Sequence, residues 1–435
     1  MSETPKPTIL CISTYEKGQP FLREAARLGA NVILLTIDAL ESADWPRHAI
    51  SRLVTMPESL SPEQVLNTVT YLARTQAIDR IVALDEFDLE TAALLREHLR
   101  LPGMGESATR FFRDKLAMRV RAREAGVRVP EFTPVFHYDD VRGFLSNVPG
   151  PWLLKPRTNA SAIGIHKLTQ AAELWPLLDS LGDLQSHYLL ERFVPGKIFH
   201  VEGITSRRQV LVSIPFGYGQ PPMQTMHEGG VFTTRTLDRG SPDAIALSGM
   251  HQEVLSALDL TSGVTHTEFI RSHADNQFYF LETAARVGGA YIADVVEFAT
   301  GMNPWVEWAR LECAALVDRP YSLPKISQGH AGSIICSPAS SNPTPPPTPI
   351  RRSSSASISI TTPASSCNPP RPSVSRPLPP STRSVSFRSS APPCRHPRKP
   401  QPDCICFVRI RANGATTRAS SKKGDRYDLR VAQAP

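Results

Sequence analysis

The chain has 435 residues, 41% hydrophobic and 20% charged, which is enough for about three domains. Its net charge of +7 is unevenly placed: residues 337–435 carry +13 and residues 1–336 therefore carry −6, so the basic balance gives no ground for specific nucleic-acid binding by the folded part. The cysteines have neither paired metal-ligand spacing nor the layout of a disulfide framework, and the apolar run at residues 8–13 is too short for a leader or a membrane span. The expectation is a cytoplasmic protein with no membrane partner.

Residues 8–12 form a short apolar run that predicts a buried strand. Residues 21–28 follow as a helix stopped by Gly29, and residues 31–36 as a second buried strand. Residues 62–75 read as a helix, and residues 80–84 as a third strand ending at Asp85. Strands alternating with helices predict a parallel sheet, so residues 1–104 look Rossmann-like. There is no Gly-x-Gly-x-x-Gly after the first strand, which argues against a dinucleotide site. Ser107 is positioned to cap a helix running to Ala125, with Lys115 and Arg119 on one face of it. Residues 151–156 predict a strand that delivers Lys155, and residues 188–194 another that ends before Pro195-Gly196. A hairpin is expected over 200–205 and 209–214. An antiparallel pair is expected over 263–270 and 277–282, and helices over 291–300 and 303–316. Residues 332–336 start one more strand.

The sequence changes character after Cys336. Nineteen of the 40 prolines lie in residues 337–435, and stretches such as Arg351-Arg352-Ser353-Ser354-Ser355 have too little apolar mass to offset ordering entropy. A disordered basic tail is one reading of this segment. Translation in a shifted reading frame from near residues 326–338 is the other.

The side chains that carry chemistry lie in residues 115–289. Glu268 and Glu282, at the ends of neighbouring strands, are suited to hold a hard cation against phosphate oxygens. Arg286, four residues after Glu282, is placed to grip an anion developing beside them. Lys115 and Lys155 reach the same place as flexible point cations for a triphosphate. The small-residue loop at Ser161, Ala162, Ile163 and Gly164 lets backbone N–H groups approach phosphate oxygens. The stretch 227–235, with its glycine pair, has the composition of a mobile loop able to close over substrate.

In order and content these pieces resemble the ATP-grasp superfamily: Asp114-Lys115, Lys155-Pro156, the 159–165 loop, Glu191 to Gly196, Glu268, and Glu282 to Arg286. Residues 1–104 resemble the domain that usually precedes it, residues 105–190 the small lobe and residues 191–336 the large lobe. The fold class implied is α/β and α+β: a Rossmann-like N-terminal domain, a two-lobed ATP-grasp fold and a disordered tail over 337–435. The resemblance makes ATP the nucleotide, with Mg2+ or Mn2+ held by Glu268 and Glu282. Glu191, Phe193 and Val194 would frame the adenine, and Lys115, Lys155, Ser161 and Gly164 would meet the phosphates. Lys155 and Arg286 would stabilise the transferring phosphoryl group. Two positions depart from the family pattern. Ile198 stands near the place of the ribose-binding acid, with Glu202 as its substitute, and Ala284 replaces an asparagine that usually follows the second metal acid.

The activity implied is an ATP-dependent ligase that activates a carboxylate, amino-acid-like, and passes the acyl group to an amine or thiol. Its partners would be small-molecule substrates, and the family habit is a homodimer. Two alternatives remain open: a biotin carboxylase-like reaction, and an ATP-binding protein with impaired catalysis.

Overall fold

The computed structural model describes residues 6–59, 61–160, 163–222, 225, 231–336, 404–410 and 429–430. Three sheets organise them. The first is parallel and is built from β1 (Thr8–Ile12), β2 (Asn31–Ile37), β3 (Arg52–Met56) and β4 (Arg80–Ala83), in the order β3-β2-β1-β4. Every residue of β1 is buried, as a central parallel strand covered on both faces requires. The helices Gln19–Arg27 and Pro62–Ala73 supply crossovers, and Leu89–Leu99 follows the last strand. After β4 the chain makes one tight turn, Glu86–Asp88, capped by the Asp85 carboxylate on the Phe87 N–H at 3.1 Å.

The second sheet is antiparallel. It comprises β5 (Phe132–Pro134), β6 (Trp152–Pro156), β7 (His166–Leu168) and β8 (Tyr188–Arg192), in the order β5-β8-β6-β7. Its core packs Trp152, Leu154, Leu168 and Leu190 against the helix Leu174–Leu181.

The third sheet is the largest. It runs β13 (Phe278–Ala284), β12 (Gly263–Ser272), β9 (Gly196–Ser206), β10 (Gln209–Tyr218), β11 (Phe232–Thr236), β14 (His330–Cys336), β15 (Cys404–Ile410) and β16 (Leu429–Arg430), with antiparallel neighbours throughout. The helix Pro304–Leu316 packs Trp308 edge-on against Phe21 of the first helix, with ring centres 5.3 Å apart, and so ties this sheet to the parallel one.

Three expectations are corrected. The helix read from Ser107 to Ala125 is two helices, Glu106–Arg110 and Lys115–Glu124. The break falls at Asp114, whose carboxylate accepts from the N–H groups of Leu116 (2.9 Å) and Ala117 (3.3 Å) while its backbone stays extended. The 227–235 loop is in part a strand, because Phe232 to Arg235 pair with β10 and β14 in β11; residues 226–230 lie outside the described residues. Regular structure does not end at Cys336 either, since residues 404–410 pair with β14 as β15. Apart from these residues and Leu429–Arg430 of β16, the tail lies outside the described residues.

Candidate active site

The site is assembled from strands and one helix start; Glu268 and Glu282, expected at strand ends, lie inside β12 and β13. Lys155 leaves β6 just before Pro156. Register pairs Leu153 with Glu191 and Lys155 with Leu189, so Lys155 and Glu191 are diagonal neighbours on one face. The Lys155 ammonium contacts the Glu191 carboxylate directly. Arg119, from the face of its helix that also carries Lys115, donates to the other oxygen of Glu191 from Nε at 3.1 Å and lies 3.0 Å away through Nη2. It also donates to the Leu281 carbonyl. Two buried cations thus share one buried carboxylate. Burial works against the Glu191 charge, but Lys155 and Arg119 overcome it and hold the carboxyl below its usual range. Burial pushes Lys155 down, Glu191 opposes that, and Arg119 adds to it.

Glu268 and Glu282 sit directly opposite each other across β12 and β13. Like charges at that spacing repel, so the pair needs positive partners. Lys115 supplies one, with its ammonium 2.8 Å from Glu282 and 2.6 Å from the Asn159 carbonyl. Burial would raise Glu282, but Lys115 and, further off, Lys155 and Arg119 bring it down to about 2. Glu268 accepts from the Tyr218 hydroxyl at 2.9 Å and lies 3.6 Å from His266 Nε2. Two adjacent carboxylates that line open cavities are a donor set suited to a hard divalent cation, and the residues present fit Mg2+ or Mn2+.

Behind this pair the sheet carries an alternating quartet. Register sets His200 opposite Glu268 and Glu202 opposite His266. Glu202 Oε1 is 2.7 Å from His200 Nδ1 and 2.6 Å from His266 Nδ1, and His200 Nε2 is 2.7 Å from Thr234 Oγ1. Burial opposes a charged His266, yet Glu202, with Glu268 beyond it, holds the imidazole up at about 10. Glu202 is held well below its ordinary value by the same contacts, against its burial. His200, Glu202 and His266 bring their ligand atoms within 4.8 Å of one another, a spacing at which a metal could bind, but hydrogen bonds already satisfy the set. Gly288 is needed beside it: a Cβ there would stand 2.9 Å from Glu202 Oε2 and 3.1 Å from His266 Nδ1.

Two cavities meet at the carboxylate pair. The first, about 600 Å³, is lined by Lys115, Lys155, Glu191, Phe193, Val194, Glu268 and Glu282, with Ile163, Ile165, Ile198, Ile270 and Leu281 as apolar walls. The second, about 650 Å³, is lined by Lys115, Glu268 and Glu282 again, together with Glu86, Arg113, Tyr218, His266 and Arg286. Lys155 and both glutamates therefore share one cleft. Arg286 lies 3.2 Å from Glu86 and donates to the Val287 carbonyl at 3.0 Å.

Glu202 does not line the first cavity; its carboxylate is taken up by His200 and His266. Ser161 lies outside the described residues. Gly164 turns the loop with φ 76°, and a Cβ there would meet Pro156 Cγ at 3.0 Å. Sequence reasoning missed Arg119 as a partner of Glu191, and missed Glu86, Arg113, Tyr218 and His266. A signal existed for His266, because His266 and Glu268, like His200 and Glu202, are two apart on a strand and share a face.

Comparison with known proteins gives one family. Residues 22–103 match the model of the ATP-grasp N-terminal domain. The L-arginine-specific L-amino acid ligase of Bacillus subtilis is 24% identical over 233 residues, which is 52% of this chain and 56% of that protein. The alanine–anticapsin ligase of Bacillus subtilis is 25% identical over 252 residues, 52% of each. The chain spans about half the length of these relatives. Among solved structures, the L-amino acid ligase from Bacillus licheniformis superposes with a TM-score of 0.61 at 23% identity, covering 76% of this chain and 80% of that one. The N5-carboxyaminoimidazole synthetase from Staphylococcus aureus complexed with ADP gives 0.60 at 17%, covering 76% and 82%. Both share the mixed α/β fold. Residues 22–103 thus resemble the ATP-grasp N-terminal domain, and the chain as a whole is similar in fold to these ligases and synthetases.

Proposed function

We propose that this chain is an ATP-dependent ligase that activates the carboxylate of an amino-acid-like substrate and joins it to an amine. The observation that carries the reading is the convergence of Lys155, Lys115, Glu268 and Glu282 on one cleft from two different sheets and a helix start. A triphosphate needs cations from more than one direction, and a carboxylate pair for the metal that accompanies it.

In this reading the first cavity takes the nucleotide. Phe193, Val194 and the apolar walls enclose the base, and Lys155 and Lys115 meet the phosphates. Glu268 and Glu282 would hold Mg2+ or Mn2+, which when bound neutralises phosphate charge. The second cavity takes the carboxylate substrate. One of its oxygens attacks the γ-phosphorus, the bond from that phosphorus to the bridging oxygen breaks, and ADP leaves with the electron pair. The amine nitrogen then attacks the acyl carbon, inorganic phosphate departs, and the nitrogen loses a proton. Lys155 and Arg286 act by positioning and by stabilising charge in a buried site. The ligase names of the Bacillus relatives support an amino acid as the carboxylate.

The test is a screen of ADP release by the full chain with ATP, Mg2+ and each common amino acid, singly and in pairs, with bicarbonate as a separate arm. Amino-acid-dependent ADP and peptide formation is expected. Turnover that needs bicarbonate, or ADP release that persists in Glu282→Ala, would overturn the assignment. Light scattering of the same samples tests whether a homodimer forms.

A further inference from the structure

We propose that Glu86 recognises the α-ammonium group of the amino-acid substrate, beside an Arg286 that takes its carboxylate. This rests on the ligase reading above and names the feature that selects the substrate. Three acids follow β4, and two of them are committed to local structure. Asp85 pairs with Lys17 and caps the Phe87 N–H. Asp88 accepts from the Thr14 N–H and hydroxyl, each at 2.9 Å. Glu86 alone of the three lines the second cavity. It is 8% exposed, and among the described residues its one charged partner within 4 Å is Arg286 at 3.2 Å.

That spacing matters chemically. The ammonium and carboxylate of an α-amino acid are both borne by the one α-carbon, so their complements must also lie side by side. Glu86 and Arg286 do so, one from the first sheet's edge and one from the end of β13. The pair also leaves donor capacity unused. The buried Nε of Arg286 has no hydrogen-bond partner, and neither has that of Arg113, a second cavity-lining guanidinium that is 8% exposed and 4.0 Å from Glu90. A cavity with buried guanidinium donors to spare and, besides the Glu268–Glu282 pair assigned to the cation, Glu86 as a further carboxylate suits a zwitterion better than a simple acid. A carboxylic acid without the amine would occupy the arginines and leave Glu86 buried and unpaired, which is costly.

The test compares kcat/KM for the amino acid giving fastest ADP release with that for its des-amino analogue, in the full chain. Wild-type protein should favour the amino acid by about a hundredfold. In Glu86→Gln and Glu86→Ser that ratio should fall below about tenfold, with the KM for ATP unchanged within about twofold. A general loss of activity leaves the ratio alone, so the readout separates recognition from structural support. Where a variant turns over too slowly, the thermal shift induced by each compound in the presence of a non-hydrolysable ATP analogue reads the same preference. Variants that keep the wild-type ratio overturn the assignment while leaving the ligase reading intact. Wild-type protein that releases no ADP with any amino acid sinks both.

Discussion

The Lys155–Glu191–Arg119 cluster gives a sharp thermodynamic expectation. Glu191 is 2% exposed, and it neutralises one of two cations, of which Arg119 is fully buried and Lys155 is 7% exposed. Replacing it in Glu191→Gln leaves two like charges in a dry site. Breaking a buried ion pair from one side costs about 3–5 kcal/mol, and at about 2–4 °C per kcal/mol for a protein of this size the melting temperature should fall by roughly 6–20 °C. Lys155→Met is the opposite case. It leaves Glu191 and Arg119 as a one-to-one pair, and the methionine occupies the lysine's volume, so its cost should stay near about 1 kcal/mol. The double variant should be more stable than Glu191→Gln alone, with a coupling of about 1–3 kcal/mol. Raising the pH should shrink the Glu191→Gln deficit: without Glu191, burial and Arg119 drive the Lys155 pKa further down, so folding favours the neutral amine. Thermal and urea unfolding of the three variants at pH 7 and pH 9 supply the measurement. The reasoning fails if Lys155→Met proves as destabilising as Glu191→Gln, because the second cation would then not be in excess.

Asp114→Ala removes a cap on two N–H groups and an ion pair to Arg157. It should cost about 1–2 kcal/mol in thermal unfolding and raise the KM for ATP, because Lys115 starts the helix it caps. Gly288→Ala should displace Glu202 or His266 and lower stability by about 1–3 kcal/mol, read by urea unfolding. His251 is fully buried, and burial lowers it to about 4. Since the unfolded imidazole titrates near 6.5, stability should be complete above that pH and decline as the pH falls toward 4, by at most about 3 kcal/mol. His251→Gln, which can still bond Ser213, should flatten that part of the pH–stability curve.

Much of the scaffold was legible because burial on both faces leaves an unmistakable apolar run: β1, β2 and β4 are of this kind. β3 was not, since Arg52 is exposed and Leu53 to Thr55 are only half-buried, and its pairing depends on β2 being present first. The break between the two helices at 106–124 was hidden because Ser107 and Asp114 are both good caps; only the Arg157 partner, distant in sequence, favours the second. In the site, Lys155, Glu268 and Glu282 stood out because they are charged residues set in apolar strands, and Arg286 because it follows one of those strands within a few residues. Arg119 and Glu86 take their roles from residues on other elements, which no local pattern encodes. Glu202 lies four residues beyond Ile198, about 13 Å along the strand at about 3.3 Å per residue, and does not line the first cavity.

The alternating quartet on β9 and β12 constrains how this sheet can change over generations. Both imidazoles bond Glu202, so replacing that carboxylate strands two buried rings at once, and replacing either ring leaves Glu202 short of a partner. Drift through this patch should therefore proceed by paired exchanges, with both partners altered together or through a neutral stepping stone. Among related chains, the identities at 200, 202 and 266 should travel together.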